Sequence, residues 1–224
     1  MASDVYREFL KYAPAYAQQE AQQAIEKIVD LQKQGVIRSG LYYVVLVDLV
    51  GSTKFAATHG NDPAADRIKT FITASFNALN EINIRNTGLF VKEIGDAVLF
   101  VFQHFPDILR WRAQFARWVG RPSLDAEPIV LRTCVHIGEV YLEGVNPLSL
   151  AVSQTFKMEK AVPGGAIALT QPAYSVAWPT LARAYHAFAH LGNIELDGFL
   201  DCVGLYTLQE VLPDELDRIA SETL

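Results

Sequence analysis

Residues 42–53 read YYVVLVDLVGST, and no other stretch limits the fold so sharply. The unbroken run of aromatic, β-branched and aliphatic side chains reads as a central strand buried on both faces. Asp48 stands at its end, where a buried carboxylate is costly unless it is paired or coordinates a cation. Gly51 permits a tight turn and a close backbone approach, because it has no Cβ. Ser52 is expected to cap a following helix, whose free amides would then point at an anion beside the cation. Strand, acid, turn and helix start together describe a cradle for a metal–phosphate group. The alternative is a strand that ends in an ordinary aspartate turn.

A second acid has a similar setting. Leu89–Phe102, LFVKEIGDAVLFVF, is an apolar run broken by Gly95-Asp96, the pattern of a tight hairpin. If the hairpin lies beside the first strand, Asp48 and Asp96 converge, and two close carboxylates repel unless cations bridge them. Lys92 lies in the same apolar run. Buried there, it would have to reach a ligand or an acid; at a strand edge, its ammonium would snorkel into water.

The rest of the chain alternates helical and strand periods. Residues 1–38 read as a helical N-terminal extension, with Val5, Phe9, Leu10 and Tyr12 on one face before Pro14, then a helix over Ala15–Gly35. Ile68, Phe71, Ile72, Phe76, Leu79 and Ile82 recur at three- and four-residue steps, one buried face of a helix reaching about Arg85. Pro106–Val119 forms another helix, and Ile129–Ile137 a strand that continues beyond Gly138. Strand, helix, hairpin, helix, strand is the split βαββαβ order. An α+β, ferredoxin-like domain over residues 39–210 is expected, with helices on one face and a tail over 211–224.

The net charge of −6 argues against nucleic acid or an anionic membrane as partner. No apolar run is long enough to span a membrane, and MASDVYREFLKYAP lacks the apolar core of a signal peptide. Cys134 and Cys202 sit in apolar runs and are expected to be buried free thiols of a reduced, cytoplasmic protein. The five histidines show no metal-ligand spacing.

Five stretches stand in one order: VDLVGST (47–53), VKEIGDAVLFVF (91–102), LRTCVHIGEVYLEG (131–144), SQTFKMEKAVPGGAIALT (153–170) and LDGFLDCVGLYTL (196–208). In order and spacing they resemble the class III nucleotidyl cyclases, the adenylate and guanylate cyclase family, over roughly Leu41–Leu208. The resemblance implies a ferredoxin-like catalytic domain that cyclises a nucleoside triphosphate with two divalent cations per site, Mn2+ or Mg2+. It places the metal positions at Asp48, Leu49 and Asp96, and substrate contacts at Val50, Gly51, Ser52 and Thr53. Base reading falls to Lys92 and Asn146. The helix over Pro147–Lys160 carries the transition-state positions, Ser153 and Lys157, one turn apart; the alternative for that helix is a solvated face. The family's sites are composite, so a homodimer is implied.

The chain departs from the family at several of these positions. Asn146 replaces an aspartate, Ser153 an asparagine and Lys157 an arginine, and the turn Asp197–Leu200 lacks the lysine usual there. With those departures the chain looks most like the bacterial pyrimidine (uridylate/cytidylate) cyclases of Pycsar antiphage systems. That implies UTP as substrate ahead of ATP or CTP, and cyclic UMP ahead of cyclic CMP as an alarm for a separate effector. Two other readings stay open: an adenylate cyclase, and a cyclase-like domain that binds nucleotide or a partner without turnover.

Overall fold

In the computed structural model, strand β1 (Gly40–Leu49) is hydrogen-bonded along both edges, antiparallel to β3 (Ala97–Phe102) and to β4 (Leu131–Glu143). The structure describes residues 40–82, 87–119, 128–143, 146–183, 188–199, 202–208 and 213–221, and the expected extension over residues 1–38 lies outside them. Val44, Val45 and Val47 are 0 % exposed, as an unbroken apolar run requires when both neighbouring strands and both faces are covered. With β2 (Gly88–Ile94), β6 (Ile167–Thr170), β7 (Ala189–Glu195) and β8 (Cys202–Leu208), the strand order is β2-β3-β1-β4-β6-β8-β7. The short β5 (Asn146–Leu148) pairs with the far end of β4. The order β2-β3-β1-β4 is that of the ferredoxin-like split βαββαβ unit, extended by β6 running parallel to β4.

Alternate residues of β1 serve opposite layers. Tyr43, Val45, Val47 and Leu49 pack beneath α2 (Asn61–Ile82) and α3 (Phe105–Val119). Phe71, Ile72, Phe76 and Leu79 of α2 are each at most 2 % exposed, the face their spacing predicts. Trp111 is enclosed by Phe100 and Phe115 at centroid separations of 4.9 and 5.6 Å, and its indole N–H donates to the Ser75 carbonyl at 2.9 Å. That bond satisfies the one polar atom which burying a tryptophan would otherwise orphan. Helices α5 (Gln171–Arg183) and α6 (Pro213–Ser221) extend this layer. Within the stretch expected to be a tail, α6 buries Leu216, Ile219 and Ala220.

Tyr42, Val44 and Leu46 face the other way, against α4 (Leu150–Met158) and the 3-10 turn Glu159–Ala161. Helices therefore cover both faces of the sheet, not the one expected. Ala151, Thr155 and Met158 make a narrow buried stripe on α4, too short to announce which face it covers. The helix also starts later than the sequence suggests. Ser149 is its N-cap, accepting from the Ala151 N–H at 2.9 Å, and residues 146–148 are extended along β4 instead. Cys134 is buried, whereas Cys202 is exposed, at the end of the β7–β8 ladder opposite Glu195. No described helix is long and apolar enough to cross a membrane.

Gly138 is what lets α4 approach. A Cβ at that position would lie 2.6 Å from the Ala151 Cβ, closer than carbon atoms pack. Gly138→Val should therefore lift α4 and cost about 1–3 kcal/mol in urea unfolding. Undiminished stability would show that α4 is not seated by this contact.

Candidate active site

Asp48 leaves the sheet at the end of β1, directly opposite Ala97 on β3 and Arg132 on β4. Directly opposed residues share a face, so the register sets the Arg132 guanidinium beside the carboxylate. Its Nη1 lies 3.0 Å from Asp48 Oδ2, it also contacts Glu159 Oε1, and its Nε donates to the Val162 carbonyl at 2.7 Å. The side chains of Asp48, Arg132 and Glu159 are 15, 20 and 31 % exposed. Water thus reaches a cluster that the sheet largely covers.

Asp96 arrives from the β2–β3 turn, where Gly95 adopts φ 63°. Its carbonyl accepts from the Leu49 N–H at 3.0 Å, and its carboxylate accepts from the Ser52 hydroxyl. The hairpin tip is thereby tied to the end of β1. Helix α1 (Ser52–His59) follows at once, with Gly51 as N-cap at φ 78° and no side-chain cap. The cap expected at Ser52 is thus corrected: Ser52 is the first helical residue, and its hydroxyl is drawn to Asp96. The amides of the first turn keep donors without helical acceptors. Val50 gives its N–H to the Val130 carbonyl at 2.9 Å, while Gly51 and Thr53 are exposed. The Leu49 side chain is 1 % exposed beneath α2, so only its carbonyl can face a cation.

The electrostatics are those of a site short of positive charge. Burial, then Glu159 and Asp96, pushes the Asp48 carboxyl up to about 6, and Arg132 only partly opposes them. A hard divalent cation fits these acids, since it would relieve that repulsion and prefers carboxylate and carbonyl oxygens. Among the described residues, no three His, Cys, Asp or Glu side chains converge to hold an ion alone. Two carboxylates that leave further positions to substrate oxygens suit an ion such as Mg2+.

The other expected site residues do not join this cluster. Ser153 and Lys157 stand on the exposed side of α4, and the Lys157 ammonium lies 2.9 Å from Asp197 Oδ2 in the β7–β8 turn. Lys92 is exposed, so the argument that burial forces it onto a partner is corrected. It lies on the edge strand β2, just past a register shift after Phe90, where water reaches its ammonium. Its cross-strand partner Leu99 still sets it on the sheet face of Asp48 and α4. Asn146 lies in β5, opposite Glu143. Sequence reasoning missed Arg132 and Glu159. Arg132 is legible afterwards as a lone cation in an apolar strand, whereas Glu159 reaches the site only because α4 docks.

No protein-family model and no curated protein matches the chain. Solved structures do. The adenylate/guanylate cyclase/hydrolase from Silicibacter pomeroyi is 18 % identical at TM-score 0.62, covering 77 % of this chain and 98 % of that one. The adenylyl cyclase CyaB from P. aeruginosa is 16 % identical at TM-score 0.57, covering 78 % and 97 %. The catalytic core of a rhodopsin-guanylyl cyclase with converted specificity, in complex with ATPalphaS, is 15 % identical at TM-score 0.59, covering 77 % and 97 %. At these identities the likeness is one of fold. The chain has the α+β fold of adenylate and guanylate cyclase domains.

Folding raises the Asp48 pKa from 3.8 to about 6, so the folded protein holds a proton that the unfolded chain releases. The stability this group contributes is present below about pH 4 and is lost as pH rises through about 6. Asp48→Asn should therefore exceed the parent in stability at about pH 8 by on the order of 1–3 kcal/mol, with no difference near pH 4. Urea unfolding in EDTA across this range measures it, and an advantage independent of pH would mean that the Asp48 charge is not the cause.

Proposed function

We propose that the chain is a nucleotidyl cyclase, converting a nucleoside triphosphate to a 3′,5′-cyclic mononucleotide and pyrophosphate. The observation that carries this reading is the convergence of Asp48 and Asp96 beside the uncapped start of α1, with Arg132 between Asp48 and Glu159. Two divalent cations, Mn2+ or Mg2+, would supply acidity at the ribose 3′ hydroxyl and neutralise the departing pyrophosphate. Asp48 and Asp96, with the Leu49 carbonyl, are the groups that would hold them. The amides at Gly51, Ser52 and Thr53 face phosphate at the positive end of a helix dipole. Arg132 offers a guanidinium fork that can pass from carboxylate to phosphate oxygens. Lys157 would place positive charge at the pentacoordinate phosphorus, and Ser153 would add a hydrogen bond.

Lys157 on α4 and Glu159 in the 3-10 turn just after it point different ways, one towards Asp197 and the other towards Arg132. That separation supports a homodimer whose composite sites pair the acids of one protomer with the base readers Lys92 and Asn146 and with Ser153 and Lys157 of the other. Asp48→Ala and Asp96→Ala should each abolish turnover. Asp48→Ala mixed with Lys157→Ala should regain it in heterodimers, because one composite site is then whole. Failure to complement despite subunit exchange would put the site within one chain.

For the base we infer a pyrimidine, UTP first, giving cyclic UMP as an antiphage messenger read by a separate effector. Lys92 supports this as an exposed donor, suited to a carbonyl edge. Chromatography of products from all four triphosphates with Mn2+ tests the reading. Cyclic AMP alone would make the chain an adenylate cyclase, and no product would make it a nucleotide-binding module, a reading favoured by the capture of Lys157 by Asp197. Lys92→Glu, which exchanges donor for acceptor, should erode the UTP preference about ten- to hundredfold. Equal loss for every triphosphate would remove Lys92 from base recognition.

A further inference from the structure

The β7–β8 turn carries an exposed acid at its corner. The Phe199 N–H donates to the Leu196 carbonyl at 2.9 Å, and Gly198 adopts φ 84°, the geometry of a type II turn that favours glycine. Leu196 is 2 % exposed, and Phe199 packs on the same apolar cluster beneath α4. Both flanks of the corner thus pack on the sheet, and Asp197 projects between them. Its side chain is 91 % exposed and that of Lys157 44 %, so burial constrains neither of them. What joins them is a 2.9 Å ion pair across two elements. Lys157, then Lys160, holds the Asp197 carboxyl below its ordinary range.

We propose that Asp197 is an internal competitor for Lys157, occupying its ammonium in the empty site so that an incoming polyphosphate must displace a carboxylate before it binds. The ligand's identity rests on the cyclase reading; the ion pair does not. An exposed carboxylate–ammonium pair is weak and exchanges readily, so a polyphosphate of higher charge can take the lysine. The device sets an affinity threshold, and its effect falls on substrate binding more than on the chemical step.

The test uses the full chain and inorganic tripolyphosphate, which carries no base, in calorimetric titration. Asp197→Asn should bind it about twofold to fivefold more tightly, the range of one exposed ion pair, and Lys157→Gln should bind it more weakly. The double variant should be no tighter than Lys157→Gln alone, since Asp197 acts through Lys157. With triphosphate substrate, Asp197→Asn should lower KM and leave kcat unchanged, a split that a merely structural turn residue would not produce. Unchanged or weaker tripolyphosphate binding by Asp197→Asn overturns the proposal, as does an equal gain in the Lys157→Gln background. If the cycle closes as stated but no triphosphate is cyclised, the competitor stands and the cyclase reading falls. If cyclisation proceeds while Asp197→Asn leaves tripolyphosphate affinity unaltered, the opposite holds.

Discussion

Pairing β1 on both edges decides where charge can stand in this molecule. Every residue from Tyr43 to Asp48 is matched with β3 on one side and β4 on the other. Side chains within that stretch meet only other side chains, and the apolar ones fill both layers. A carboxylate is tolerable only where the ladder ends and the cover thins, which is where Asp48 lies. The same register sets Arg132 opposite it, so the acid has a counter-charge as soon as the sheet forms. The site is thus a consequence of sheet pairing, and the loops around it refine what the ladder has already aligned.

Charge balance at that point remains incomplete. Arg132 is shared between Asp48 and Glu159, while Asp96 relies on the Ser52 hydroxyl. Burial first, and then the neighbouring acids Glu159 and Asp96, keep the Asp48 carboxyl protonated to higher pH than an ordinary aspartate. A fold that only needed to be stable would gain by replacing one of these acids with a neutral group. Their persistence together makes sense for a site whose missing positive charge comes from outside the chain.

Helix α4 divides the remaining groups. It fits against β4 because Gly138 leaves room for Ala151, and its buried stripe turns Glu159 towards Arg132 while Lys157 points to Asp197. One short helix therefore feeds the acid cluster at its end and presents a separate cation on its outer side. The turn carrying Asp197 gives that cation a partner without burying it.

Much of this was legible in local pattern. The apolar run of 42–47 ending in Asp48, the Gly95-Asp96 break and the helical spacing of 68–82 determined the ferredoxin-like order and the two acids, because strand and helix periods are properties of neighbouring residues. Partner choice is not such a property. Local pattern makes the Ser52 hydroxyl a helix cap, yet it goes to a residue 44 positions away, and no local rule anticipates that acceptor. For Lys92 the sequence leaves a buried setting and a strand edge both open, because a run of apolar neighbours cannot say that its strand lies at a sheet edge. Arg132 and Glu159 came to Asp48 through the β1–β4 register and the docking of α4, contacts spanning 84 and 27 residues. The sequence by itself determined the elements and the acids at their ends. Only the tertiary structure decided which charges meet, because long-range pairing is set by the packing of whole layers and not by the residues that finally touch.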